Sequence, residues 1–265
     1  MLMAVNLANS QISIGFFADD ACELKFQCKL ATDLHKTSDE YLCLIRSIVR
    51  EESLSVESIS GAILASVVPQ LTATVSEVLY HLTGAQPILV GPGVKTGFAI
   101  KIDSPSELGG DMVANTVAAL DSLGGEKRPM MVVDMGTVTT VSAISRAGEY
   151  LGCSICPGIG ISLDSLHGRT AQLPNVMLAA PERAIGKNSQ DSVRSGVIYG
   201  HAMMLDGFVL RFAKEMRCTP QELVLVMTGT YAKSVSDVCK YPFEVDEHLT
   251  LKGLWTLYRK TVQEG

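Results

Sequence analysis

The chain has 265 residues, a formal net charge of −6 and a sequence pI near 5.4. Apolar residues make up 47% and charged residues 19%, which is enough for a large buried core in one or two domains. This acidic balance argues against a nucleic-acid partner, which would require clustered Lys and Arg. No apolar run reaches the length of a membrane span.

The cysteines and the N-terminal sequence predict where the protein works. The seven cysteines are scattered, and the first ten residues lack the basic and apolar regions of a secretory signal. We therefore expect reduced thiols, a cytoplasmic location and no membrane partner.

The first half of the chain predicts three strands and then alternating helices and strands. The criteria are apolar alternation for strands and 3.6-residue periodicity for helices. Ser38 is the expected cap of the first helix, and Pro69 is expected to open the second. The predicted elements are three strands within 2–30, a helix over 37–51, a strand over 61–68, a helix from 69, a strand over 87–91 and a helix over 111–123.

The second half repeats this order. Three strands, MMVVDMG, TVTTVSAIS and EYLGCSICPG, precede a long helix within 188–216, a strand over 223–229, a helix at AKSVSDVC, a strand at FEVD and a helix over 251–262. The repeat predicts an α/β duplication, with domains 1–122 and 123–265 separated near the Gly-rich and charged stretch 121–129. A single doubly wound sheet is the alternative.

The hairpin at the start of each half carries the first candidate chemistry. VVDMGTVTT places Asp134 at a strand end, Gly136 in the turn and Thr137 just after it. Glycine lets backbone N–H groups approach a phosphate, and a carboxylate at this place can hold a metal ion. The same Asp-x-Gly pattern is also ordinary hairpin chemistry. VNLANS, at residues 5–10, aligns with this hairpin but has Asn6 and Ala8 at the key positions.

A second candidate is Asp111, which follows Gly109 and Gly110 at the start of a helix. It can be a simple N-cap or a general base directed at a substrate hydroxyl. A helix N-terminus favours the ionised carboxylate, so we expect Asp111 to be charged.

Three other patterns carry little weight. The stretch GPGVKTG, at residues 91–97, lacks the spacing of a phosphate-binding Walker loop, and the five histidines show no ligand spacing. Cys153 and Cys156 fall on opposite faces of a strand, so we interpret them as core residues.

Taken together and in order, several stretches resemble the bacterial type III pantothenate kinases of the sugar kinase–actin–Hsp70 superfamily. The resemblance spans nearly the whole chain. It rests on ASVVPQL, GPGVKTGFAIKIDSPSELGGDMVAN, VVDMGTVTTVSAI, CPGIGISLDSLHGRTAQLP, GKNSQDSVRSGVIYG, VMTG and HLTLKGL.

The resemblance implies a fold, a reaction and partners. The fold would be two duplicated actin-like (ribonuclease H-like) domains with ATP between them, each a mixed sheet flanked by helices. The reaction would be ATP-dependent phosphorylation of pantothenate to 4′-phosphopantothenate, the first step of coenzyme A biosynthesis. Mg²⁺ and a monovalent cation, K⁺ or NH₄⁺, would be required, and a homodimer would complete the substrate pocket.

The resemblance also implies a role for each matching residue. Asp111 matches the catalytic Asp, and Asp134 the metal-binding position. The phosphate and ATP positions are Asn6, Asn9, Ser10, Gly136, Thr137, Thr228 and Gly229, and the substrate positions are Gly109, Gly110 and Ser189.

Five positions depart from the pattern of the family: Asn6, Ala8, Ile102, Met112 and Thr230. Asn6 lacks the carboxylate charge. Ala8 adds a methyl group where we expect close backbone approach and a positive φ. Two hypotheses follow. One is a working kinase with a divergent site. The other is an impaired paralogue that acts as a binding or regulatory subunit, in a hetero-oligomer with an intact homologue.

Overall fold

The computed structural model of the protein describes residues 1–91, 94–179 and 181–263. The chain forms two compact units by contact. The first unit comprises Met1–Gly97, Asp103–Ser122 and His248–Gly265, and the second comprises Phe98–Ile102 and Leu123–Glu247. Pro92 and Gly93, in the stretch GPGVKTG, lie outside the described residues.

The first half of the chain contains five strands and three helices, in the predicted order. They are β1 (Leu2–Leu7), β2 (Gln11–Phe17), β3 (Leu24–Ala31), α1 (Ser38–Glu51), β4 (Gly61–Ser66), α2 (Pro69–Thr83), β5 (Ile88–Leu89) and α3 (Gly110–Ser122). The fifth strand is shorter than the predicted 87–91.

The second half repeats the strands and adds a long helix. Its elements are β6 (Met130–Met135), β7 (Val138–Ile144), β8 (Tyr150–Pro157), α4 (Ile159–Arg169), α5 (Ser189–Glu215), β9 (Val224–Thr228), α6 (Ala232–Ser236), β10 (Glu244–Val245) and α7 (Leu249–Gln263).

Each unit is built on one five-stranded mixed sheet, and the two sheets have the same topology. The strand orders are β3-β2-β1-β4-β5 and β8-β7-β6-β9-β10. In both, the first three strands in sequence pair antiparallel, and the remaining pairs are parallel. The predicted duplication is therefore confirmed, and a single doubly wound sheet is wrong.

The starts of the helices follow local chemistry. Thr37, not Ser38, caps α1: its hydroxyl accepts from the N–H of Glu40 at 3.3 Å, and the carboxylate of Glu40 accepts from the N–H of Thr37 at 2.8 Å. This reciprocal capping box satisfies two backbone donors at once, which Ser38 cannot do from inside the helix. Pro69 lies at the first position of α2, as predicted.

The closing helix α7 packs on α3, and both belong to the first unit. Thr250 donates a hydrogen bond to Asn115 at 2.7 Å, and Thr256 donates to Asp121 at 3.0 Å. A Cβ built on Gly253 would lie 1.9 Å from the carbonyl oxygen of Ala114, so the two helices meet backbone to backbone. The domain limits 1–122 and 123–265 stay a prediction, whereas these contacts assign α7 to the unit that contains the start of the chain.

The edge strand β8 corrects the interpretation of the two nearby cysteines. Cys153 is exposed and Cys156 is partly buried, so Cys153 is not a core residue. Strand alternation places the two thiols on opposite faces, and β8 leaves exposed the face that carries Leu151, Cys153 and Ile155. Within the described residues, no helix has the length and apolar character needed to cross a membrane.

Candidate functional site

The first hairpin, between β1 and β2, closes without backbone strain at Ala8. The N–H of Ala8 donates to the carbonyl of Gln11 at 3.1 Å, and the hydroxyl of Thr32 donates to the carbonyl of Ala8 at 2.6 Å. Among the described residues other than glycine, only Ser53 and Arg217 have a positive φ. The expected positive φ at Ala8 is therefore wrong, and the methyl group fits this turn.

Asn6 gives the first hairpin a polar atom without a partner. Its register places it opposite Ser13 and beside Ala65 of β4. The side-chain oxygen Oδ1 is buried and accepts no hydrogen bond from the part of the chain that the structure describes. Asn9 and Ser10 follow in the turn and are exposed. A buried acceptor of this kind requires a donor or a cation, so the hairpin is suited to a polar ligand.

Two glycines bring α3 against the strand ends of the first sheet. A Cβ on Gly110 would lie 3.2 Å from the Cβ of Ala65, and one on Gly109 would lie 3.6 Å from Cγ1 of Val67. The N–H of Val67 in turn donates to the carbonyl of Leu7 at 3.0 Å. Asp111 therefore lies at the edge of the sheet that carries the first hairpin.

Asp111 has a perturbed carboxyl group. Burial raises its pKa, and a hydrogen bond from the N–H of Met112 to Oδ1, at 2.8 Å, acts in the opposite direction. Desolvation of the charged form is the larger of the two effects. That Asp111 is charged stays a prediction. A carboxylate with a raised pKa is a better proton acceptor, as a general base needs.

The second hairpin, between β6 and β7, lies within the second unit. Asp134 pairs with Thr140 of β7 and Thr228 of β9. Its Oδ1 lies 3.6 Å from the place of a Cβ on Gly136, so the carboxylate folds over the turn that leads to Thr137.

The turn of the second hairpin is held between two glycines of neighbouring elements. A Cβ on Gly229, whose φ is +100°, would lie 2.6 Å from the carbonyl of Met135. A Cβ on Gly158 would lie 2.3 Å from the carbonyl oxygen of Thr137 and 2.7 Å from that of Gly136. No side chain fits at either position without moving the turn, so both glycines are required by the close approach.

The structure thus brings the predicted residues together in two groups. Along one edge of the sheet in the first unit lie Asn6, Asn9, Ser10, Gly109, Gly110 and Asp111. Around one turn of the second unit lie Asp134, Gly136, Thr137, Thr228 and Gly229. Ser189 is exposed at the start of α5, a helix that contributes no other predicted site residue. The contact of Gly158 with the turn could not be predicted from the sequence, in which only the Pro-Gly pair at the end of a strand marks this position.

The chemistry of these residues fits a divalent metal held together with phosphates. Within the described residues, no group of three or more His, Cys, Asp or Glu side chains is close enough to hold a metal alone. Mg²⁺ commonly takes only one or two carboxylates and completes its shell with phosphate oxygens and water. In the second unit, Asp134 near the end of β6 offers such a carboxylate.

Comparison with known proteins first defines the fold class. A putative 2-dehydro-3-deoxygalactonokinase from Sinorhizobium meliloti aligns with a TM-score of 0.59 at 12% identity, covering 98% of this chain and 96% of that one. A putative Baf family transcriptional activator from Campylobacter jejuni aligns with a TM-score of 0.58 at 16% identity, covering 98% and 99%. The protein therefore has the actin-like α/β fold found in sugar kinases.

The sequence then gives the family. Residues 2–211 match the type III pantothenate kinase family. A type III pantothenate kinase from Moorella thermoacetica is 41% identical over 260 residues, which cover 98% of this chain and 99% of that protein. The chain belongs to the type III pantothenate kinase family.

Proposed function

We propose that this protein is a working pantothenate kinase, which transfers the γ-phosphoryl group of ATP to the primary hydroxyl of pantothenate. Membership of the family supports the substrates, since a kinase takes its phosphoryl group from a nucleotide. The observation that carries the proposal is Asp111, a carboxylate with a raised pKa at the sheet edge that also carries a phosphate hairpin.

Asp111 is the proposed catalytic residue. It orients the hydroxyl of pantothenate and accepts its proton as the oxygen attacks phosphorus. Its Oδ1 accepts from the N–H of Met112, which fixes the orientation of the carboxylate. Gly109 and Gly110 are the proposed substrate-side residues. A Cβ on Gly109 would lie 2.6 Å from Oδ1 of Asp111, so glycine keeps a side chain away from this carboxylate, and Gly110 lets α3 approach Ala65. Ser189 is the proposed further contact with pantothenate, on the resemblance of its stretch alone.

The two hairpins are the proposed phosphate-binding elements. Gly136 and Thr137 present backbone N–H groups and a hydroxyl, and Asn9 and Ser10 occupy the matching turn of the first unit. Thr228 and Gly229 are proposed to contact the nucleotide. A divalent ion, proposed as Mg²⁺ at Asp134, would neutralise phosphate charge when bound.

The geometry of the first hairpin favours the working kinase over the impaired subunit. Ala8 fits its turn without a positive φ, and Asn6 keeps an oxygen in place of a carboxylate oxygen. Met112, Ile102 and Thr230 remain differences from the pattern of the family. The hetero-oligomer with an intact homologue remains the alternative, and a chain that binds pantothenate without turnover would favour it.

A homodimer is part of the proposal. Helix α5 supports it, since the side chains of Met203 and Leu210 are 65% and 53% exposed. Gly196, Gly200 and Gly207 on the same helix have nothing near their Cβ positions. Small residues beside exposed apolar ones allow close helix packing between two copies.

We also propose a monovalent cation, K⁺ or NH₄⁺, from the resemblance, and a cytoplasmic location.

An assay of the purified protein with pantothenate, ATP, Mg²⁺ and K⁺ tests the function. We expect equal amounts of ADP and a pantothenate product heavier by one phosphoryl group, detected by mass spectrometry. Reactions without pantothenate, and with the Asp111→Asn variant, are the controls. ADP release that does not depend on pantothenate would contradict the proposal.

A further inference from the structure

His201, in the middle of α5, contacts two backbone carbonyl groups. Its side chain is only 9% exposed. The ring atom Nδ1 lies 2.7 Å from the carbonyl oxygen of Val197, and Nε2 lies 3.2 Å from that of Pro157. The first contact stays within the helix, whereas the second joins α5 to the end of β8. Since a carbonyl oxygen only accepts, a hydrogen bond at either contact requires a hydrogen on the ring nitrogen concerned: Nδ1 for Val197 and Nε2 for Pro157.

The peptide that follows Pro157 lies against the turn of the second hairpin. Pro157 pairs with Val138, the first residue of β7. The next residue, Gly158, is so close to the carbonyls of Gly136 and Thr137 that a Cβ would lie 2.7 Å and 2.3 Å from them. With so little space, a shift of the Pro157–Gly158 peptide must be followed by a shift of the turn.

We propose that His201 is a positioning residue for this phosphate-binding turn: through Nε2 it holds the Pro157–Gly158 peptide, and that peptide holds Gly136 and Thr137. The inference rests on the proposed function, because it takes the turn to bind the phosphates of ATP. His201 touches neither substrate. It acts by keeping the N–H groups of the turn where a phosphate oxygen needs them, without reorganisation on binding.

The chain offers substitutions that separate the two ring contacts. In His201→Gln the amide nitrogen takes nearly the place of Nε2 and can still donate to Pro157. In His201→Asn the shorter side chain reaches only the place of Nδ1, and in His201→Leu no donor remains. Val209→Ala is the matched control, because Val209 is a fully buried residue of the same helix with no contact to Pro157 among those described. It lowers stability through a cavity instead.

The test measures Mg·ATP affinity by calorimetry and KM for ATP and pantothenate by steady-state kinetics. We expect His201→Leu and His201→Asn to weaken Mg·ATP binding by about fivefold or more, the scale of a lost hydrogen bond. In both variants the KM for pantothenate should stay unchanged. His201→Gln should bind Mg·ATP as the parent does, and Val209→Ala should lower the melting temperature without changing ATP binding. Unchanged ATP affinity in His201→Leu, equal effects of Gln and Asn, or a parallel rise in both KM values would overturn the proposal.

A nitrogen NMR measurement keeps this inference separate from the proposed function. If the unchanged protein fails to bind Mg·ATP, the proposed function fails first, and the role in positioning a phosphate turn fails with it. If the protein binds, the ¹⁵N shift of Nε2 in His201, assigned by its loss in His201→Gln, decides the contact. A shift typical of a nitrogen with hydrogen supports the bond to Pro157, and one typical of a bare nitrogen overturns it.

Discussion

Replacing Gly253 with alanine should disturb both the stability of the first unit and the position of Asp111. Gly253 lies on α7, where that helix crosses α3 at Ala114, three residues beyond Asp111. The added methyl carbon would lie 1.9 Å from the carbonyl oxygen, 2.5 Å from the carbonyl carbon and 2.9 Å from the Cα of Ala114. All three atoms are backbone, so no side-chain rotation can make room.

The displacement can be worked out from these distances. Real Cβ contacts closer than 3.0 Å are essentially never seen, so the helices must separate by at least about 1.1 Å, the difference between 3.0 Å and 1.9 Å. Overpacking of this kind costs about 1–3 kcal/mol, and the better helix propensity of alanine offsets about 1 kcal/mol of it. A displacement of about 1 Å near the reacting groups can also lower turnover by up to about a hundredfold.

Chemical denaturation and steady-state kinetics measure the two effects. We expect Gly253→Ala to lower the free energy of unfolding by up to about 2 kcal/mol and to lower kcat. The control is Gly168→Ala on α4, where nothing lies near the Cβ position and alanine should stabilise by about 0.5–1 kcal/mol. A Gly253→Ala protein as stable and as active as its parent would refute the claim that α7 fixes the position of α3.

Three further predictions concern Asp111, the first hairpin and α5. Asp111→Asn should lower kcat by at least about a hundredfold and raise the melting temperature at neutral pH. Burial raises the folded-state pKa of Asp111. The stability that the protonated Asp111 contributes is therefore complete below the unfolded pKa near 3.8 and is lost as pH rises through the folded pKa. Melting temperatures that coincide for parent and variant at every pH would count against this prediction. Asn6→Asp with Ala8→Gly should tighten Mg·ATP binding by about five- to a hundredfold, because it adds a carboxylate charge at the proposed phosphate hairpin. Ala8→Gly alone should add little, since Ala8 has no positive φ. Calorimetry showing no gain in the double variant would mean that Asn6 serves the hairpin as well as a carboxylate does. Light scattering should show a dimer that Met203→Glu on α5 disrupts and that Leu44→Glu, at an exposed position on α1, leaves intact; a monomeric parent would contradict the proposed interface.

Much of the fold could be predicted because each element is specified locally. Pro69 opens α2 as expected, and the alternation of apolar residues identified all three strands at the start of each half. The errors also have local causes. The cap of α1 is Thr37 and not the predicted Ser38, because a capping box depends on Glu40, three residues after Thr37. Cys153 proved exposed, because alternation along a strand does not say which face is covered.

The sequence by itself determined the duplicated α/β fold, the order of strands and helices, and the residues with suitable chemistry at each hairpin and at the start of α3. These depend on periodicity, turn residues and motif order, which lie within short stretches of chain. Tertiary structure decided what those residues experience. Burial raises the pKa of Asp111, against the opposing effect of backbone N–H groups at the helix start. Gly158 and Gly229 hold the second turn across strands that are distant in sequence, and α7 returns to pack on α3. Such contacts join residues up to 139 positions apart, as at Ala114 and Gly253, and no local pattern records them because their energy arises only when the chain has folded.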